Sequence, residues 1–370
     1  METVRRGGYD GPVTVVGDEP HAPYDRPPLS KQVLRGAWEP ARVALRKPEA
    51  VDELDARWLS GTRAVGFDAA ARTIALADGS ELAYEGAVIA TGVTPRRLRD
   101  GHELDGVHVL RSLDDSVAIR KRLVDATSVV VVGAGFLGAE VAAVARELGL
   151  AVTMVDPLPG PMIRQFGAEL SGYLADLHTG RGVDVRCGVG VAGFTERDGA
   201  VAGVRLDGGE TLPADVVLVA IGCVPAVDWL AGSGLTIGNG VECDEYLLAA
   251  PGVVAAGDVA SWPHPDHGRL RIEHRMNATE QGAAAARTLL GERTPFAPIP
   301  YFWTDQYDVK VQVHGVPTPD AEFRVVTGDP ADGRFGGLYG SGGRVTASLT
   351  WNLPREALKL RKLVVDRADW

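Results

Sequence analysis

The chain has 370 residues, 45% of them hydrophobic and 24% charged, with a formal net charge of −11. That length is too great for one ordinary core and suits two or three domains, the balance is that of a folded chain and not a disordered one, and the acidic total argues against nucleic-acid binding. No run approaches the roughly 20 apolar residues of a membrane span, and Met1 to Arg6 lead into no signal-peptide core, so a cytoplasmic protein with no membrane partner is expected.

Runs rich in valine and isoleucine alternate with alanine-rich stretches, the pattern of an α/β doubly wound parallel sheet. Residues 12–17 predict a buried strand, and 24–31 a proline-stiffened loop entering a short helix. A strand precedes Ala90-Thr91-Gly92, a helix spans 112–125, and 128–132 is β-branched enough for a strand buried on both faces. Asp207-Gly208-Gly209 signals a hairpin between 201–206 and 210–212, ahead of the apolar run 216–221. From the valine strand to about Cys243 the chain reads as one nucleotide-binding unit, after which it returns to the first domain. Beyond Pro295 and Pro298, short β-rich pieces with turns at 315–319 and 340–343 predict a third, smaller domain.

Cys187, Cys223 and Cys243 are widely spaced and form neither a CxxC pair nor a metal-ligand set. Each is expected to be a small buried hydrophobe, leaving no local dithiol for disulfide chemistry and no metal site. His264 and His267, in Pro263-His264-Pro265-Asp266-His267, read as a surface loop, and His274 as a structural residue.

Gly133-x-Gly135-x-x-Gly138 follows the valine strand directly and opens an alanine-rich helix, which is the context that a bare glycine pattern needs. The first glycine permits a tight turn, the second lets a diphosphate approach the backbone, and the third lets helix and strand pack closely. The phosphate would sit on free amides at the helix N-terminus. Eighteen residues after Gly138, at the end of the next apolar run, stands Asp156, placed to accept from an adenosine ribose and to repel the extra phosphate of NADP.

With this motif in place, nearly the whole chain resembles the NADH-dependent ferredoxin reductases of cytochrome P450 and Rieske oxygenase systems, relatives of the rubredoxin reductases. The residues carrying the resemblance are Gly17-Asp18-Glu19, the run 23–31 (PYDRPPLSK), Ala90-Thr91-Gly92, the Gly133 loop, Ala256-Gly257-Asp258, Glu273-His274, Asn277, Glu280-Gln281 and the run 301–306 (YFWTDQ). The resemblance implies two Rossmann-like dinucleotide-binding domains with a small α+β C-terminal domain. It divides the chain into an FAD-binding domain of residues 1–113 and 243–297, an NAD-binding domain of 114–242 and a C-terminal domain of 298–370.

The resemblance also implies the site: FAD held by Glu19 at its ribose, by Arg26 and Lys31 along the flavin and its diphosphate, by Thr91 and Gly92 at a close approach, and by Gly257 and Asp258 at the ribityl hydroxyls. Trp303 is counted with these cofactor-binding residues. Gly133, Gly135, Gly138 and Asp156 would hold NAD, Glu140 would orient the nicotinamide, and Lys31 and Glu140 are each counted as catalytic residues. The implied partner is a small acidic [2Fe-2S] ferredoxin, with rubredoxin as the alternative, acting on a monomer or homodimer. Arg355, Lys359, Arg361 and Lys362 read equally as a docking face or as an ordinary solvated helix. The rival readings are a general NADH:acceptor oxidoreductase and a nucleotide-binding protein without turnover, like relatives of apoptosis-inducing factor in their signalling role.

The sequence departs from the family pattern in two places. Only the second of two dinucleotide fingerprints is visible: residues 2–9 read as the end of a crossover helix, so the FAD domain is expected to lack its first strand and glycine-rich loop, leaving backbone and apolar surface exposed. A start assigned too far downstream is the first of three explanations, ahead of truncation and natural loss, and the expectation is weak FAD retention on gel filtration. Arg275 stands where the family commonly has Trp, either altering the flavin environment or holding an acidic partner.

Overall fold

The computed structural model describes residues 1–318 and 320–370. Two compact units emerge, one of residues 1–25, 43–94 and 224–298, the other of 26–42, 95–223 and 299–370.

In the second unit, five parallel strands lie in the order Asp184–Cys187, Ala151–Asp156, Ser128–Val132, Val216–Val219 and Val107–His108. The valine strand sits at the centre, and Val129 to Val132 are almost fully buried, as expected for a β-branched run covered on both faces. A strand of this kind delivers its C-terminal end to the middle of one sheet edge, where α/β proteins bind ligands. The helix Leu113–Asp125 is started by Ser112, whose hydroxyl accepts from the Asp115 amide in a capping box. The hairpin at Gly209 forms as expected, and a further antiparallel strand, Val191–Arg197, joins it.

Residues 301–351 of the same unit are not short pieces but five antiparallel strands of six to eight residues, ordered Tyr301–Gln306, Val309–Gly315, Arg344–Trp351, Arg334–Ser341 and Glu322–Asp329. Gly342 and Gly343 both take positive φ in the tight turn between two of them. Pro319, the end of the other expected turn, lies outside the described residues. The helix Pro354–Val365 packs Leu360 and Val364 on Leu338 and Val345 of this sheet, and a second core joins Phe302, Val311 and Phe335 to Phe166, Leu170 and Leu174 of the helix Ile163–Gly180.

The first unit has smaller sheets: Thr14–Gly17 parallel to Arg57–Ser60, Ala87–Ile89 parallel to Val253–Ala255, and a three-stranded meander from Ala64 to Ala83. Its core gathers Phe67, Val253, Val254 and Trp262. Against expectation, Thr14–Gly17 is not buried: Val15 and Val16 are half-buried and the strand's ends exposed, because it pairs along one edge only. Val88, facing outward from Ala87–Ile89, is 48% exposed.

Other expectations also need correction. Cys243 alone among the cysteines is buried; Cys187, ending an edge strand, and Cys223 are half-buried. Burial pushes the thiols of Cys187 and Cys243 up to about 11 and about 12, far from the thiolate that disulfide exchange needs. His264 is not on a surface loop but buried at the end of the strand Ala260–His264, where Nε2 lies 3.0 Å from the Pro298 carbonyl and Nδ1 accepts from the Asp266 amide. Among the described residues no group of three or more His, Cys, Asp or Glu could hold a metal ion, and no helix is long and apolar enough to cross a membrane.

Candidate functional site

The expected site residues divide between the units: Glu19, Thr91, Gly92, Gly257 and Asp258 belong to the first, and Arg26, Lys31, Gly133, Gly135, Gly138, Glu140, Asp156 and Trp303 to the second.

The glycine turn in the second unit is built as its spacing demands. Gly133 has φ +109°, and a Cβ there would lie 2.3 Å from the Ala220 carbonyl oxygen. A Cβ on Gly138 would come within 1.9 Å of the Gly133 carbonyl oxygen, so the helix Phe136–Glu147 packs on the turn only because that carbon is missing. Around Gly135, which caps the helix, a Cβ would meet nothing within 4 Å. Two glycines are thus required by the fold, while the third opens space above a helix N-terminus whose amides favour an anion. Asp156 borders that space: its carboxylate accepts from the Ala134 amide at 2.7 Å and from the Leu158 amide at 2.8 Å. Carboxylate and turn are therefore locked together, with acceptor positions still open on both oxygens.

Lys31 and Glu140, 109 residues apart in sequence, form a buried ion pair of 2.7 Å, exposed by only 8% and 7%. Ser30 donates to the same Glu140 oxygen at 2.6 Å, and Thr304 to the other at 2.9 Å. Three of the roughly four acceptor positions of a carboxylate are filled, and the charge is compensated where an isolated one would be costly to bury. Arg26 donates to the Arg111 carbonyl at 2.7 Å, and Trp303 stacks on Tyr301 with ring centroids 6.0 Å apart.

In the first unit, Tyr24 donates its hydroxyl to Glu19. Thr91 donates to the Ala226 carbonyl at 2.9 Å beside Gly92, whose φ is +68°. Gly257, at φ +78°, donates its amide to Gln281 Oε1 at 2.8 Å. Gln281 Nε2 and Asn277 Oδ1, both buried on the helix Arg275–Leu289, lack a hydrogen-bond partner among the described residues. Orphaned polar atoms of this kind beside a glycine turn and a helix N-terminus suit a polar ligand. Arg275 is held within its own unit, Nε to Asp25 at 2.9 Å and Nη1 to Thr279 at 2.9 Å. The Asp25 carboxylate offsets a cation at an unfavourable helix start.

Sequence reasoning treated Lys31 and Glu140 separately and missed their pairing. It also gave no role to Ser30 or Thr304. No polar–apolar alternation marks them in the sequence; the strand Tyr301–Gln306 turns Thr304 and Gln306 with Phe302 to the buried face, where polar side chains require partners.

A central parallel sheet, a glycine turn of this geometry and a carboxylate closing the next strand define a dinucleotide-binding α/β protein. Residues 1–282 match the family model "Pyridine nucleotide-disulphide oxidoreductase" and residues 301–370 the model "Reductase C-terminal". The chain belongs to the pyridine nucleotide-disulphide oxidoreductase family, and membership implies binding of FAD and a nicotinamide nucleotide. It is 37% identical over 365 residues to rhodocoxin reductase of Rhodococcus erythropolis, covering 98% of this chain and 85% of that protein. It is 37% identical over 369 residues to the ferredoxin reductase component of chlorobenzene dioxygenase from Cupriavidus sp. (strain PS12), covering 99% and 89%. A solved covalent complex of putidaredoxin reductase with putidaredoxin matches with a TM-score of 0.95 at 32% identity, over 99% of this chain and 89% of that one.

Proposed function

We propose that the protein is an NADH-dependent flavoprotein reductase that passes electrons through FAD to a small [2Fe-2S] ferredoxin serving an oxygenase. The observation that carries this reading is the open cradle at Gly135, in a chain that aligns along nearly its whole length with reductase components of such systems. In this reading residues 1–113 with 243–297 form the flavin domain, 114–242 the NADH domain and 298–370 the C-terminal domain, and the protein works in the cytoplasm, where NADH is made.

FAD, when bound, supplies the conversion of a two-electron hydride donor into single electrons. Glu19, Thr91, Gly92, Gly257 and Asp258 would hold it, with Asn277 and Gln281 offering polar atoms that lack a partner among the described residues; Arg26 and Lys31 keep the flavin roles, and Trp303 the cofactor-binding role, that the resemblance implies. The Lys31 ammonium would favour negative charge on the flavin where FAD is bound. Gly133, Gly135 and Gly138 shape the diphosphate seat, and Asp156 accepts from the adenosine ribose while repelling a 2′-phosphate. Glu140 has one acceptor position left to take a hydrogen bond from the nicotinamide carboxamide. Its held geometry matters because a misplacement of about 1 Å can cost on the order of a hundredfold in rate.

The test is a reconstitution of the chain with FAD, assayed with NADH and with NADPH against ferricyanide, a [2Fe-2S] ferredoxin and rubredoxin. Ferredoxin reduction with at least about tenfold preference for NADH is expected. Preference for rubredoxin would replace the proposed acceptor, and failure of any nicotinamide nucleotide to bind would end the reductase reading.

A further inference from the structure

The hydrogen bonds at Glu140 continue through the second unit. Thr304 Oγ1, which donates to Glu140 Oε1, accepts from Gln306 Nε2 at 3.2 Å. Gln306 Oε1 lies 2.9 Å from His178 Nε2, and His178 Nδ1 lies 3.1 Å from the Tyr307 hydroxyl. Thr304, Gln306 and His178 are at most 1% exposed, and Phe302, on the same strand face, packs with Phe136 and Phe166. The orientation of each member follows from one end. An ionised carboxylate only accepts, so Thr304 must donate to it and its oxygen is then open to the Gln306 amide. That amide turns its carbonyl to His178, which must carry its proton on Nε2 and leave Nδ1 bare for Tyr307. An amide flip and a histidine tautomer, ordinarily ambiguous, are thereby fixed.

The far end is built with equal definition. Burial pushes His178 down to about 4 and Tyr307 up to about 12, so the imidazole is neutral and the phenol a donor. Tyr307 takes φ +57°, a conformation unfavourable for a bulky residue, and the Arg181 guanidinium sits over its ring, 5.1 Å from the centroid.

We propose that His178, Gln306 and Thr304 are positioning residues that orient Glu140, so that the helix Ile163–Gly180 and the first C-terminal strand set the efficiency of hydride transfer without touching the nucleotide. The proposal rests on the reading of Glu140 as the residue that aligns the nicotinamide. Glu140 Oε2 is held by Ser30 and Lys31 and, among the described residues, Oε1 by Thr304 alone; loss of the Thr304 donor releases one oxygen, and loss of His178 frees Gln306 to flip and withdraw its hydrogen bond from Thr304.

The test uses the full chain and two readouts. Histidine 15N spectra of the protein without added nucleotide should show His178 at pH 7 in the Nε2–H form, and Thr304→Val should convert it to a mixture. In FAD-loaded enzyme, His178→Leu and Thr304→Val should lower kcat for NADH-driven ferricyanide reduction by about tenfold with the NADH KM within about twofold. His178→Gln, which restores a donor to Gln306, should return kcat to within about threefold. If His178→Leu fails to fold, Thr304→Val carries the comparison. An Nδ1–H tautomer in the wild type, or an unchanged kcat in Thr304→Val while Glu140→Gln is impaired, would overturn the relay alone. An unchanged kcat in Glu140→Gln would remove the reading of Glu140 itself and the relay with it.

Discussion

The three glycines of the nucleotide turn respond differently to a single added methyl group, and the difference separates fold from ligand. At Gly135 φ is −77° and the added carbon meets nothing, so Gly135→Ala should leave the thermal midpoint within a few degrees of wild type; in the proposed reading the carbon would instead fill the space given to a diphosphate. NADH affinity should fall at least about tenfold, or roughly 1.4 kcal/mol. At Gly138 the carbon would collide with a backbone oxygen 1.9 Å away, which no side-chain movement can relieve. Gly138→Ala should therefore destabilise the protein by about 1–3 kcal/mol, seen as a lower melting temperature before any nucleotide is added. Equal stability loss in both variants would show that Gly135 serves the fold and not a ligand. The spacing of the three glycines was enough to assign the packing roles of Gly133 and Gly138, because both follow from backbone geometry. The Lys31–Glu140 pair was not legible, since ion pairing across 109 residues leaves no local pattern.

Elements were legible where a periodic pattern coincided with a local signal. The valine strand, the Ser112-capped helix and the Gly209 hairpin each combine burial pattern with a cap or a turn. The C-terminal strands were harder to read, because alternation such as half-buried Tyr301, Trp303 and Asp305 with buried Phe302, Thr304 and Gln306 does not separate polar from apolar residues. The helix Pro354–Val365 shows how structure sharpens an open question. Arg355, Lys359, Arg361 and Lys362 are all exposed, but Lys359 pairs with Glu356 at 2.8 Å and Lys362 with Asp366. Pairs at such spacing stabilise a helix by only about 0.3–0.5 kcal/mol, little enough for an acidic partner to displace them, and Leu358 stands 75% exposed among the cations. Reversing the charges of Arg361 and Lys362 should raise the ferredoxin KM several-fold at low salt and leave ferricyanide reduction unchanged, with the difference shrinking as salt screens the surface. A KM unchanged at low salt would leave these residues as a solvated face.

At the scale of the whole molecule, buried imidazoles link stability to pH. Desolvation holds His178, His274 and His314 down to about 4, against 6.5 for an unburied histidine. A base whose folded value is depressed stays neutral in the fold while the unfolded chain takes up protons, so stability is whole above pH 6.5 and is lost as pH falls from 6.5 toward 4. For His178, fully shielded in the second unit, the loss approaches roughly 3 kcal/mol at the acid end and about 2 kcal/mol by pH 5. Urea midpoints should therefore drop between pH 7 and pH 5. His178→Gln, which carries no titrating group, should lower stability at pH 7 but flatten the fall in the transition that reports the second unit. If the pH slope of that variant matched wild type, the imidazole would have to be protonating within the fold, and the neutral tautomer on which the hydrogen-bond chain to Glu140 depends would not exist at working pH.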